Sequence, residues 1–268
     1  MGKQSVVDLQ VMAYEAIDEL CSSLTDQEWG LETDCPGWSV KDNLSHLVGT
    51  EANLHGRPAP DHDPGDKPWV KNPIGAGNEV NVDFRRPWPP QKVLDEFREV
   101  TAERTKALRA LSDEELANES WTPIGQGTVA ELLAIRVMDF WVHEQDMRRA
   151  LGKPGNLDGP IAQHAFNRHV TALPFVAGKK ADMPEGKTVV YEVTGPAGGK
   201  VAVGREGKRA SILDEIPLSP DVTLTMDLET FNRLSTGRGD PDSLIKDVEI
   251  YGDDELGKKI LAASNFMI

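Results

Sequence analysis

The chain has 268 residues, 39% of them hydrophobic and 27% charged, with a net charge of −15 at neutral pH. That length holds one large domain or two modest ones, each able to bury its own core. The acidic balance argues against a general nucleic-acid binder, because a phosphate backbone attracts a basic face. No apolar run approaches the length of a membrane span, and the N-terminal twenty residues carry acids early and no apolar h-region, unlike a secretory signal. Two cysteines, Cys21 and Cys35, form neither a CxxC pair nor an even framework, which fits a reducing cytoplasm.

In chain order, Leu9, Ala13, Ile17, Leu20 and Leu24 recur at helical spacing and predict an amphipathic first helix over 6–24. Thr25 with Glu28 three residues on has capping-box spacing, so a short helical turn follows. Cys35-Pro36-Gly37-Trp38-Ser39 reads as a loop. Ser39 with Asp42 then opens a second helix carrying Val40, Leu44, Leu47, Val48, Glu51 and Leu54. His46 sits on the flank of that apolar stripe, placed to face a neighbouring helix.

Residues 56–90 hold many of the prolines and glycines and are expected to be mostly irregular. A connection this long within a compact domain is usually functional or mobile. Arg85 and Arg86 lie near its end, read either as solvated arginines or as part of a lid over an anionic substrate. A third helix is expected over about 91–111, and Ser112 with Glu115 repeats the capping-box spacing. Trp121 and Pro123 fall in a connection. Thr128 with Glu131 caps a long helix that Gly152 and Pro154 end.

After about residue 185 the periodicity changes from helical to alternating. Residues 188–194, 200–205, 221–227 and 247–251 read as strands separated by Gly/Pro turns. A short helix is expected over 228–235, ahead of Thr236-Gly237-Arg238-Gly239-Asp240, and a last one over 254–263. His164 and His169 fall in a bridging helix between the two patterns. The expected organisation is a helical domain over 1–155, then the bridge and an α+β domain over 156–268.

The long helix at 129–150 carries the chemistry. Leu132, Arg136, Asp139, His143, Met147 and Ala150 share one stripe with Asp146 beside it, and the remainder is apolar nearly all round. Burying Asp139 and His143 without partners is costly, so they either pair with each other or hold a metal. Their i,i+4 spacing brings both to one point and leaves the two readings even. His46 is the best-placed third ligand. Two histidines and a carboxylate would leave an open fourth position on zinc, the pattern of a catalytic site, although iron or nickel accepts the same donors. Asp146 either orients a ligand from behind or ends in a salt bridge with Arg149.

Two of these stretches resemble one family. CPGWSVKDNLSHL at 35–47 and RVMDFWVHEQDMRRALG at 136–152 are similar to signatures of the DinB-like, mycothiol-dependent maleylpyruvate isomerase family. There, a Trp-containing loop precedes a helix bearing a metal histidine, and an acid stands four residues before a second histidine. The remainder, from the strands to GDDELGKKIL, is similar to the sterol-carrier-like domain that often follows this bundle. The resemblance implies an α + (α+β) fold: a DinB-like four-helix bundle, then a small sterol-carrier-like α+β domain with a mostly antiparallel sheet. It implies a divalent metal, by preference zinc, on His46, Asp139 and His143. It also implies mycothiol as thiol cosubstrate on the open metal position, with Trp38 and Asp146 as candidate cofactor contacts. The characterised isomerase has Glu where this chain has Asp139, one methylene shorter.

A metal-held thiolate attacks a small electrophile. With an activated cis double bond the outcome is cis–trans isomerisation; with a leaving group or an epoxide it is S-transfer. An anionic substrate needs a cation, and Arg238, Arg85 and Arg86 are candidates weighed against ordinary surface arginines. Two other classes stand beside these: a non-catalytic small-molecule or lipid-binding protein, and a metal-dependent hydrolase that works without thiol. The expected partners are a small-molecule electrophile and a low-molecular-weight thiol. Neither nucleic acid nor membrane is expected, and the chain is read as a cytoplasmic monomer or homodimer.

Overall fold

The computed structural model describes residues 5–267, so the first four residues of the N-terminal stretch read above lie outside it. The chain divides into two compact units, the first ending at Pro154 and the second spanning Gly155–Met267. Among the described residues, no helix is long and apolar enough to cross a membrane.

The first unit runs α1 (Val6–Cys21), α2 (Asp26–Trp29), α3 (Val40–Leu54), α4 (Pro73–Arg85), α5 (Pro90–Arg109), α6 (Asp113–Ala117), a hairpin of β1 (Glu119–Thr122) and β2 (Gly125–Thr128), and α7 (Val129–Leu151). The capping boxes at Thr25, Ser39, Ser112 and Thr128 all form, each side chain accepting from the N3 amide. At its C-terminus α7 stops where Gly152 turns left-handed at φ 62°. Its 23 residues span about 35 Å.

Helices α1, α3, α5 and α7 make the expected four-helix bundle. Two layers of its core fix their directions. Val7, Leu108 and Leu133 cluster in one layer; in the next, the Tyr14 ring lies 6.4 Å from Phe97 and 5.1 Å from Phe140. Residue numbers therefore rise together along α1 and α7 and in opposite directions along α1 and α5.

The stretch expected to be irregular is only partly so. Residues 56–72 form a strap without helix or strand, but 73–85 is helix α4. Asn72 caps it by accepting from the Gly75 amide, and Pro73 occupies the first turn, where its missing N–H costs nothing. Gly75 and Gly77 lower helix propensity and so hide the element in the sequence. Burial of Glu79, Asn81, Val82 and Arg85 stabilises it. The β1–β2 hairpin was also illegible, since its exposed Trp121 and Ile124 break any alternating pattern.

The second unit begins with α8 (Pro160–Val170), followed by α9 (Leu173–Phe175) and a π-helical stretch at Val176–Lys180. Strands β3 (Thr188–Thr194), β4 (Gly199–Glu206), β5 (Arg209–Ile212), β6 (Val222–Asp227) and β7 (Glu249–Gly252) form one sheet in the order β5-β4-β3-β6-β7. Three of its pairings are antiparallel and the β3–β6 pairing is parallel, which is the mostly antiparallel α+β fold expected. Central β3 buries Val189, Val190, Tyr191 and Val193, so both of its faces are covered. Helices α10 (Leu228–Thr236), α11 (Pro241–Leu244) and α12 (Asp254–Ala262) complete the unit. Short β5 was not anticipated, because its side chains are mostly exposed.

His169 joins α8 to α10, its Nε2 lying 3.1 Å from Asn232 Oδ1. Burial pushes the imidazole down from 6.5 to about 4. Between those values the unfolded chain binds a proton that the folded chain does not, so stability is full above pH 6.5 and falls as pH drops toward 4. The expected share is about 3 kcal/mol. Urea unfolding at stepped pH checks it: His169→Gln should flatten that part of the profile, and an unchanged slope would refute it.

Candidate metal centre

Two bundle helices bring the expected trio together. His46 on α3 and His143 on α7 stand with their rings 4.7 Å apart. Asp139, one turn before His143, lies between them: His46 Nε2 is 3.2 Å from Asp139 Oδ2, and His143 Nε2 is 3.6 Å from Asp139 Oδ1. An ion held 2.0–2.1 Å from each of three tetrahedral donors sets those donors about 3.3 Å apart. The three residues thus fit a cation, with ligand atoms all within 4.8 Å of one another.

Hydrogen bonding assigns the nitrogens. His143 Nδ1 lies 2.7 Å from Asn43 Oδ1 and 3.3 Å from Asp146 Oδ2. Both are acceptors, so Nδ1 carries a proton, which leaves Nε2, on the Asp139 side, as the nitrogen that would ligate.

Electrostatics also suit a cation. Burial would raise the Asp139 carboxyl, but the Arg136 guanidinium, which donates to Oδ2, together with His46 holds it far below the usual carboxylate range. Burial pushes His46 down to about 4, so the ring is neutral near pH 7, the form that ligates. Asp139 keeps 17% of its side chain exposed while Glu51 and Asp146 keep none. The open side of the trio is therefore at Asp139.

Behind the trio lies a buried charge network. Arg136 Nε donates to Glu51 Oε1 at 2.9 Å, while Arg104 Nε and the Tyr14 hydroxyl donate to Glu51 Oε2 at 2.9 and 2.6 Å. Arg136 thus ties Glu51 to Asp139. Asp146 lies behind His143, and its Oδ1 accepts from Arg149 Nη2. Cys35, His143 and Asp146 make a second group of possible ligands. There Asp146 is held by Arg149, and the His143 Nδ1 proton is taken by Asn43.

Trp38 stands against both histidines, its ring 5.1 Å from His46 and 5.7 Å from His143. Arg85 is neither a solvated arginine nor a lid cation. It is 3% exposed and forks onto Glu96, Nε to Oε2 at 2.7 Å and Nη2 to Oε1 at 2.8 Å, so its charge is already met. Arg86 pairs with Asp42, Glu79 and Asp83. Arg238 belongs to the second unit, in the loop after α10, where Nη1 donates to Thr236 O at 2.9 Å. Of the residues not singled out from the sequence, Asn43 carried a signal: it lies three before His46, on the same side of α3. Glu79 carried none, because its helix was read as loop.

Fold and site together define a helical bundle with a candidate metal centre, followed by an α+β domain. The chain belongs to the mycothiol maleylpyruvate isomerase family: the model of that family's N-terminal domain matches residues 12–148, and the MDMPI C-terminal domain matches 164–258. Two solved structures cover 91% of this chain and 91% of theirs at a TM-score of 0.57 and 18% identity. They are crystal structures of the mycothiol-dependent maleylpyruvate isomerase and of a histidine-to-alanine mutant of it. At that identity the likeness speaks for the fold alone. No curated protein matches the chain.

Proposed function

We propose that this chain is a zinc-dependent enzyme that uses mycothiol to isomerise a small, cis-unsaturated acid such as maleylpyruvate. The observation that carries this reading is the His46, Asp139, His143 trio with donor atoms 3.2 and 3.6 Å apart across Asp139; membership of the family supplies the thiol and the reaction class. A cation bound there would keep a small thiol deprotonated near neutral pH, where a free one, with pKa about 8.5, is mostly protonated.

The chain's own residues prepare the site. Asn43 and Asp146 hold the His143 proton on Nδ1, and Arg136 keeps Asp139 ionised. Trp38 covers one side of both rings, which excludes water from the histidines. A thiol held on that cation would supply a nucleophile that could add to one alkene carbon, the electron pair passing into the conjugated carbonyl, so that the remaining single bond could rotate. Its elimination would restore the double bond as trans, so the thiol would not be consumed. Arg85, committed to Glu96, offers no free charge to the substrate's carboxylate.

Asp139 favours a second reading. It is one methylene shorter than the Glu that the family resemblance implies at this position, and a thiolate held there would attack an epoxide, or a carbon bearing a leaving group, to give S-transfer. Incubating metal-loaded protein with maleylpyruvate, and with an epoxide, with and without mycothiol separates the readings. Isomerisation that requires catalytic thiol supports the first, and a stable thiol adduct supports the second. Turnover without thiol, as a hydrolase would show, overturns both.

A further inference from the structure

Ligating histidines ordinarily have a partner on the far ring nitrogen, which fixes the plane of the ring. His143 has Asn43. His46 has no equivalent: its Nδ1 is buried and meets no hydrogen-bond partner among the described residues. Beyond the Nε2 contact with Asp139, what bears on this ring is packing, for the Trp38 ring lies 5.1 Å away with 36° between the planes.

Trp38 is in turn held from α4. Its indole Nε1 donates to Glu79 Oε2 at 2.9 Å, and the same oxygen accepts from Trp69 Nε1 at 3.0 Å. The other oxygen, Oε1, lies 2.8 Å from Arg86 Nη1. Two indole donors and one guanidinium charge therefore converge on a carboxylate that is 1% exposed. The turn before Trp38 is gripped by the same elements. Gly37 has φ +75°, a Cβ there would fall 2.4 Å from the Trp69 ring, and Arg86 Nη2 donates to Gly37 O at 3.3 Å. Only glycine allows that approach.

We propose that Glu79 is a positioning residue for the metal centre: by fixing the Trp38 ring against His46, it supplies the orientation that His46 lacks at Nδ1. The proposal rests on the reading of His46, Asp139 and His143 as cation ligands. A carboxylate suits this place, because Oε2 accepts from both indoles while Oε1 faces the Arg86 positive charge. Glutamine has one acceptor and one NH2 group, so the NH2 must meet either the two indoles or the Arg86 guanidinium.

Two readouts on the full-length protein test this. In the metal-free state, the imidazole C–H resonances of His46 and His143 carry a ring-current shift from Trp38. Glu79→Gln should move them toward their positions in Trp38→Leu, and should weaken Zn2+ binding, measured by chelator competition, by about 10–100-fold, the usual size for residues behind a ligand. Glu79→Asp, with its carboxylate kept on a shorter arm, should recover part of both. A purely structural Glu79 would lower the melting temperature yet leave the imidazole resonances and Zn2+ affinity as in wild type, which would overturn the proposal. Wild-type protein that binds no Zn2+ overturns the ligand reading. Unmoved resonances in Glu79→Gln overturn the assignment of Glu79 whichever way the Zn2+ result falls.

Discussion

Purified His143→Ala protein is expected to carry no stoichiometric divalent cation, whereas the wild type carries close to one per chain. The substitution removes one of three donors and the Nδ1–H that meets Asn43 and Asp146. Loss of a residue merely behind a ligand weakens metal binding by about 10–100-fold, so loss of a ligand should exceed the upper end of that range. Thiol-dependent turnover should disappear with the cation. Far-UV circular dichroism should stay unchanged, because α7 retains its capping box, its glycine stop and its buried apolar face. Metal analysis of both proteins after the same dialysis checks this. A His143→Ala protein that keeps its metal would remove the basis for the site.

Glu51→Ala should cost the most stability of any single substitution in the bundle network. Burial alone would raise this carboxyl, but the Arg136 and Arg104 guanidiniums overcome it and hold Glu51 below the ordinary carboxylate range. Removing the carboxylate leaves two buried guanidiniums and the Tyr14 hydroxyl without their shared acceptor. A broken buried pair typically costs about 3–5 kcal/mol, mostly from the charge left uncompensated. The expected result is a shift of that order in urea unfolding, and a loosened Arg136 that no longer anchors Asp139. A loss below about 1 kcal/mol, the ordinary worth of an exposed pair, would show that water reaches this network.

The Asp139–His143 half of the trio was legible in sequence because helical geometry made it so. Asp139 and His143 are one turn apart on a helix otherwise too apolar to be exposed, and that spacing survives folding without distortion. His46 stood out by its place on the flank of the second helix, and the resemblance of 35–47 to a known signature supplied what local sequence does not, namely which helix faces α7. The network around the trio was hidden for a different reason. Glu51, Arg104 and Tyr14 lie on three different helices, and only the bundle brings them within hydrogen-bond range. Arg85 was misread because its partner Glu96 follows a turn and belongs to the next helix. Helix α4 was lost to composition: prolines and glycines around 64–77 spell a loop, while tertiary burial of Glu79 and Val82 overrides them. The contact between Gly37 and Trp69 is of the same kind, since a glycine in a turn does not announce the ring that lies on it.

An anomalous-difference map from crystals grown in zinc is the most direct test of the central claim. The prediction is one strong peak about 2.0–2.2 Å from a nitrogen of His46, an oxygen of Asp139 and Nε2 of His143, with a further position open. A peak at Cys35, His143 and Asp146 instead, or no peak within reach of the trio at full zinc loading, would contradict it.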